Sequence, residues 1–316
     1  TERQYYRLTE RHGEPTIPDG ANGERICELV VLAMGKLGGR EPNFHSDLDL
    51  VFLYEADGHS VHRGRARRDK TTNQHFFSLL GQRILKNITQ RGAHGRLYEL
   101  NTRLRPTGPH GGLAVSFAEF GDYFATGKAT FAERQAICKA RPIYGSSQAR
   151  SAAADAVSQA ILNSTWTSAE AAGIRQSREH LEASANRQNL KRGPGGTMDI
   201  EFVVQMLQLR FAREFPQILT TGTLDALAAL RDAGLITASD AAYFDESYRF
   251  LRRVESGLRL METSARHDLP DQDFELYCLA YLLGIDDPTE LKRQFHYYTR
   301  ENRHRFDRLF DAAEDR

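Results

Sequence analysis

Three cysteines in 316 residues, no net charge and no long apolar run are the first features of this sequence, and each shortage excludes something. Cys27, Cys138 and Cys278 are far apart, odd in number and set among apolar residues. They read as buried thiols in a reducing cytoplasm rather than as a disulfide framework or a zinc site. Forty-two basic residues balance forty-two acidic ones, so there is no general electrostatic reason to bind nucleic acid or an anionic membrane. That argues against a template-reading polymerase. No apolar stretch is long enough to span a bilayer, and no secretory signal is present, so the expected location is cytoplasmic. There is no internal repeat and no low-complexity segment. The chain starts at Thr1 without Met, which reads as a piece of a longer polypeptide, and its length suggests two domains.

What is present is concentrated between Leu29 and Tyr54. Two apolar runs, Leu29 to Ala33 and Leu48 to Tyr54, flank a loop carrying Gly35, Gly38 and Gly39, the pattern of strand, glycine-rich turn and strand. Asp47 and Asp49 are two residues apart, so their side chains leave one face of the second strand. Two adjacent carboxylates repel each other unless a cation sits between them, which predicts a hard divalent metal, Mg²⁺ first. Glycines let the backbone approach an anion, and Lys36 and Ser46 add a cation and a hydroxyl. A phosphate cradle followed by a metal-binding Asp-x-Asp is the layout of a nucleotidyl-transfer site. Asp-Leu-Asp alone is better read as an ordinary edge-strand pair. The preceding Gly-Lys-Leu-Gly-Gly and Ser46 favour the functional reading.

Gly35-Lys-Leu-Gly-Gly-Arg-Glu41 followed by Ser46-Asp-Leu-Asp49 resembles the signature of the bacterial glutamate-ammonia-ligase adenylyltransferases, two-headed enzymes that adenylylate and deadenylylate glutamine synthetase. Further matches follow in the family's order: Arg103-Leu-Arg-Pro106 with Gly108, Lys139-Ala-Arg141 with Gly145, and Arg192-Gly-Pro-Gly-Gly196 with Asp199-Ile-Glu-Phe202. The resemblance covers nearly the whole chain and implies one of the family's two related halves. In the family the position of Asn101 is normally Asp, the third carboxylate of the metal site. Asn101 keeps a neutral oxygen ligand but removes a charge and cannot act as a base.

The segment from Arg96 to Arg105 alternates and reads as a third strand beside the Asp pair, with Glu99, Asn101 and Arg103 on one face. Arg103 and Arg105 have the guanidinium geometry for bidentate phosphate contact. Residues 1–24 are polar and read as a leading arm or the end of a preceding helix. Apolar positions Phe76, Phe77, Leu80, Ile84, Leu85 and Ile88 predict an amphipathic helix over 71–91. Ser116-Phe-Ala-Glu119 and Thr167-Ser-Ala-Glu170 read as capping boxes. A helix carrying Phe131 to Arg141 is expected to end at Pro142. By resemblance, its Lys139 and Arg141 face the nucleotide.

Beyond Gly145 the pattern is helical: about 197–212, 223–233, 239–262, 273–283 and a last helix opened by Asp287-Pro-Thr-Glu290. Asp199 and Glu201 fall in the first turn of one helix, where dipole capping accounts for them. The family resemblance instead assigns them to a cleft wall opposite Asp47 and Asp49.

The expected architecture is therefore α+β: a nucleotidyltransferase domain of mixed sheet and helices over 1–145, followed by an all-α helical bundle over 146–316. The resemblance implies Mg²⁺-dependent transfer of AMP from ATP to a tyrosine hydroxyl of glutamine synthetase, in the C-terminal, adenylylating half. Asp47 and Asp49 would hold the metal with Asn101 as a weak third ligand; Gly35, Lys36, Gly38, Gly39, Ser46, Arg103, Arg105, Lys139 and Arg141 would serve the nucleotide. A nitrogen-signalling regulatory protein is a possible further partner. The alternatives are the deadenylylating half, which removes AMP by phosphorolysis, and a nucleotide-sensing module weakened at Asn101.

Overall fold

The computed structural model describes residues 1–20, 23–62, 70–90, 98–102, 104, 107–108, 111–163, 166–261 and 266–315. The chain forms two compact units, one of residues 1–41 and 47–164, the other of residues 42–46 and 165–316.

The first unit opens with α1 (Glu2–His12), β1 (Glu14–Pro18) and β2 (Glu24–Ile26), where the sequence suggested a polar leading arm or the end of a preceding helix. Leu8 and Ile17 are the buried apolar anchors of this region. Then come β3 (Leu29–Ala33), a single helical turn α2 (Gly35–Gly38) and β4 (Leu48–Tyr54). Both predicted strands have the predicted bounds because their apolar runs are buried almost throughout: all of β3, and β4 from Leu50 onward. The unit continues with β5 (Ser60–Val61), α3 (Asn73–Thr89), β6 (Leu100–Asn101), β7 (Ala114–Ser116), α4 (Phe117–Ala125), α5 (Phe131–Ile137), β8 (Arg141–Tyr144) and α6 (Ser147–Leu162).

The main sheet runs β6-β4-β3-β8, with β7 also pairing β4. β3 is antiparallel to β4 and β8, whereas β6 and β7 run parallel to β4. A smaller sheet has the order β2-β1-β5. The amphipathic face of α3 supplies Phe76, Phe77, Leu80 and Ile84 to the core, and Phe77 stacks on Tyr54 at 5.2 Å between ring centroids. Burial of each such ring contributes roughly 1.5–3 kcal/mol. Ser116 caps α4 by accepting the Glu119 N–H at 3.2 Å, as its position predicted.

Two expectations need correction. The helix predicted through Arg141 ends at Ile137, and Arg141–Tyr144 is instead an edge strand on β3. Pro142 is tolerated there because an edge strand can lack an inward N–H donor. The first unit also runs beyond Gly145, because α6 buries Ala149, Ala153, Val157, Ala160 and Ile161 and packs on α4, β8 and β3.

The second unit contains α7 (Ser168–Glu182), α8 (Thr197–Phe211), α9 (Thr223–Asp232), α10 (Ala238–Met261), α11 (Asp273–Leu282) and α12 (Pro288–Glu314). One apolar cluster joins Leu251, Val254 and Leu258 of α10, Leu276 and Leu279 of α11, and Leu291 and Phe295 of α12. Asp287 caps α12 by accepting the Thr289 N–H at 2.8 Å, with Pro288 at the first helical position. At α7, Thr167 is the N-cap residue but its hydroxyl makes no capping bond, so the expected box is not closed. Together the units give the expected α+β class. Among the described residues no helix is long and apolar enough to cross a membrane.

Candidate active site

The site is assembled by the order of the sheet. Asp49 is the second residue of β4, and its Cα partner on the parallel neighbour β6 is Asn101. The Leu48 N–H donates to the Glu99 carbonyl at 2.8 Å and continues that ladder. Asp47 lies just before β4 and is exposed; Asp49 and Asn101 are half-buried, at the end of the sheet where solvent meets the core. Asp49 and Asn101 thus sit on partnered positions of two strands, with Asp47 two residues before Asp49, although Asn101 follows Asp49 by more than fifty residues.

The glycine turn faces this group from the other side of β4. The Met34 N–H donates to the Asp49 carbonyl at 2.9 Å, so α2 starts immediately beside that aspartate. Gly35 has φ 52°, and a Cβ built on it would lie 2.7 Å from Asp49 Oδ2. Only glycine allows the backbone to come that close to the carboxylate.

Gly38 and Gly39 play a different part. Both are buried, and their N–H groups donate to the carbonyls of Met34 and Gly35, which closes the helical turn. A Cβ on Gly38 would stand 1.8 Å from the Lys139 carbonyl oxygen. Its small size is therefore needed for the β8 approach to pack against the turn.

Lys139 and Arg141 grip the same turn. Arg141 Nε donates to the Gly38 carbonyl and Nη2 to the Leu37 carbonyl, each at 2.8 Å. Carbonyls at a helix end lack the partners of the helix interior, although the Leu37 carbonyl also accepts the Arg40 N–H at 3.2 Å. Burial lowers the Arg141 pKa, and neighbouring Arg40 adds to the effect. Lys139 is buried and pairs with Glu41 at 2.9 Å, just past the turn. The two side chains expected at the nucleotide are thus engaged in holding the glycine loop. Sequence spacing did not reveal this, since the partners are about a hundred residues apart.

Ser46 belongs to the second unit, where its Oγ accepts the Asn43 N–H at 2.8 Å. Arg103 and Arg105 lie outside the described residues. Asp199 requires a correction. It is fully buried inside the helical unit, where it pairs with Arg178 at 2.5 Å and Arg303 at 3.3 Å and accepts the Gly195 N–H at 2.8 Å. A carboxylate enclosed in this way does not line a cleft; it ties α7, the Gly193–Gly196 loop and α12 together. Glu201 is half-buried and accepts the Tyr248 hydroxyl at 3.1 Å.

Among the described residues no group of three or more His, Cys, Asp or Glu side chains is arranged to hold a metal ion. Asp47, Asp49 and Asn101 would offer two carboxylates and one amide, all oxygen, with the Asp49 carboxylate close against the Gly35 backbone. That set fits a hard cation that keeps several waters and shares phosphate oxygens, and it fits zinc or a redox metal poorly.

Comparison with known sequences resolves the family. The Glutamate-ammonia ligase adenylyltransferase profile matches residues 1–157, and a profile described as GlnD PII-uridylyltransferase matches residues 169–313. The chain belongs to the glutamate-ammonia ligase adenylyltransferase family. Among its relatives are proteins named bifunctional glutamine synthetase adenylyltransferase/adenylyl-removing enzyme. The one from Aromatoleum aromaticum is 34% identical over 312 residues, which is 98% of this chain and 32% of the relative. That from Thioalkalivibrio sulfidiphilus is 32% identical over 313 residues, covering 98% and 31%. That from Xanthomonas campestris pv. campestris is 35% identical over 278 residues, covering 87% and 29%. The chain therefore spans about a third of the length of these curated relatives.

Proposed function

We propose that this member of the adenylyltransferase family transfers AMP from ATP to a tyrosine hydroxyl of glutamine synthetase, as the adenylylating half of the enzyme. The observation that carries the proposal is the register that sets Asp49 beside Asn101, with the Gly35 backbone close against the Asp49 carboxylate.

Asp47 and Asp49 would hold Mg²⁺, with Asn101 contributing a neutral oxygen. The bound ion supplies charge neutralisation at the α-phosphate and the pyrophosphate leaving group. The protein contributes alignment. Gly35 lets the backbone stand close to the carboxylate that receives the metal, and Lys36 places a cation at the mouth of the turn. Arg141 and Lys139 keep the turn in place. Ser46, Arg103 and Arg105 are the further candidates for phosphate contact. Positioning of this kind accounts for most of what a phosphoryl- or nucleotidyl-transfer site does, because little covalent chemistry falls to side chains. The helical unit recognises the protein substrate and is the place for control by a nitrogen-signalling protein, in keeping with its uridylyltransferase-like profile.

The test is to incubate the chain with unmodified glutamine synthetase, Mg²⁺ and ATP labelled at either the α- or the γ-phosphate. Incorporation of the α-label alone, abolished in Asp47→Ala, supports the proposal. Label released as ADP from adenylylated synthetase by inorganic phosphate, with none incorporated, assigns the deadenylylating half. ATP binding without either activity assigns a nucleotide-sensing module.

A further inference from the structure

We propose that Arg259, on α10, is a positioning residue for the site, acting through the loop that carries the chain into Asp47 and Asp49. The inference rests on the function proposed above.

The loop is short and costly. Arg40 and His45 have φ of 58° and 56°, a left-handed conformation that non-glycine residues rarely adopt, and they lie close on either side of Pro42–Phe44. Such backbone persists only where its surroundings over-determine it. Burial does not do so here: the largest apolar side chain of the loop, Phe44, is 55% exposed. Internal hydrogen bonds do part of the work, with the Ser46 N–H donating to the Asn43 carbonyl at 3.1 Å and the Asn43 N–H to Ser46 Oγ at 2.8 Å.

The rest comes from one face of α10. Arg259 Nη1 donates to the Phe44 carbonyl and lies 3.4 Å from Ser46 Oγ. Those two atoms bracket His45. One turn earlier, Ser256 Oγ donates to Asn43 Oδ1 at 3.1 Å. The guanidinium is itself fixed: Nη2 pairs with Glu255 Oε1 at 3.1 Å, and Glu255 is held in turn by Arg252 and by His267 Nδ1 at 3.1 Å. Arg259 and Glu255 are both buried, so this is a rigid anchor rather than a surface pair. A planar, pre-organised fork can hold a carbonyl and a hydroxyl at once, which a flexible ammonium holds less well. The residue after Ser46 is Asp47. A shift at Phe44 or Ser46 therefore moves the first metal ligand along the chain, and groups that orient metal ligands commonly matter about tenfold or more to affinity or activity.

The experiment compares the full chain with Arg259→Met, Arg259→Lys, Ser256→Ala and Asp49→Ala. It measures Mn²⁺ affinity by electron paramagnetic resonance, amide hydrogen exchange across residues 40–49, and kcat and KM for ATP. Arg308→Ala, in a separate ion pair with Asp240, serves as a control for loss of bundle stability. The expected result is Mn²⁺ binding weakened about tenfold in Arg259→Met. Exchange rises over 40–49 and kcat falls, with KM for ATP nearly unchanged. Arg259→Lys and Ser256→Ala fall between that variant and the parent, and Arg308→Ala leaves Mn²⁺ binding and local exchange as they were. If Arg259→Met does not fold, Ser256→Ala carries the test through the same three readings. Unchanged Mn²⁺ affinity and loop exchange in the folded Arg259 or Ser256 variants overturn the proposal. Mn²⁺ binding equal in the parent and Asp49→Ala would instead overturn the metal site itself, which keeps the two failures apart.

Discussion

Asp49 and Asn101 stand directly opposite each other on the parallel strands β4 and β6, which sets a neutral carboxamide beside a carboxylate. Charge count is a main determinant of affinity at oxygen-ligand sites, so Asn101→Asp should tighten Mn²⁺ or Mg²⁺ binding on the order of tenfold. Transfer should rise with it. A titration of both proteins with Mn²⁺ checks this; unchanged affinity would remove Asn101 from the ligand set.

Gly38 and Gly121 form a contrast between two glycines in helices. A Cβ on Gly38 collides with the Lys139 carbonyl, whereas nothing lies within 4 Å of one on Gly121 in α4. Gly38→Ala should cost about 1–3 kcal/mol, the usual range for overpacking, and displace β8 from the turn. Gly121→Ala should stabilise the protein by about 0.5–1 kcal/mol through helix propensity. Denaturant midpoints of the two variants should move in opposite directions.

Asp199 and Arg178 are both fully buried, and truncating either strands the other's charge. Asp199→Asn should destabilise the helical unit by about 3 kcal/mol or more. Glu201→Gln, at a half-buried position bonded to a tyrosine hydroxyl, should cost well under half of that. Thermal melts followed by helical circular dichroism separate the two. Equal effects would contradict a structural role particular to Asp199.

Asp240 gives the helical unit an acid-sensitive contribution. Burial alone would raise its pKa, but hydrogen bonds from Arg308 and Thr237, together with the charge of Arg305, hold it below the ordinary aspartate value. A pKa lower in the folded than in the unfolded state means that the unfolded chain binds more protons between the two values. The contribution is thus complete above the ordinary value and is lost as pH falls toward the folded one. Asp240→Asn should lower stability at neutral pH and flatten its decline over roughly pH 5 to pH 3. Denaturant titrations across that range read the slope directly.

Much of this was legible in the sequence where side chains carry their own pattern. β3 and β4 were readable to the residue because continuous apolar runs allow no other register, and the α3 face followed from spacing alone. The opening elements were not, because α1, β1 and β2 contribute few buried apolar residues to a mostly polar stretch. β8 was hidden for a related reason: Arg141-Pro-Ile-Tyr144 is a strand only because β3 offers it an edge. Of the candidate site residues, Asp47 and Asp49 could be picked out from spacing, and Asn101 only from the family resemblance. The tasks of Lys139, Arg141 and Asp199 could not, since each is defined by a partner distant in the chain, Glu41, the Gly38 carbonyl and Arg178 or Arg303.

The most direct test of the account is the intact mass of unmodified glutamine synthetase after incubation with this chain, ATP and Mg²⁺, beside Asp49→Ala. The account predicts a gain of one AMP per subunit, mapped to a tyrosine, that disappears in Asp49→Ala and increases in rate with Asn101→Asp. No mass gain from a folded preparation that binds ATP and Mn²⁺, or a gain that survives Asp49→Ala, would contradict it.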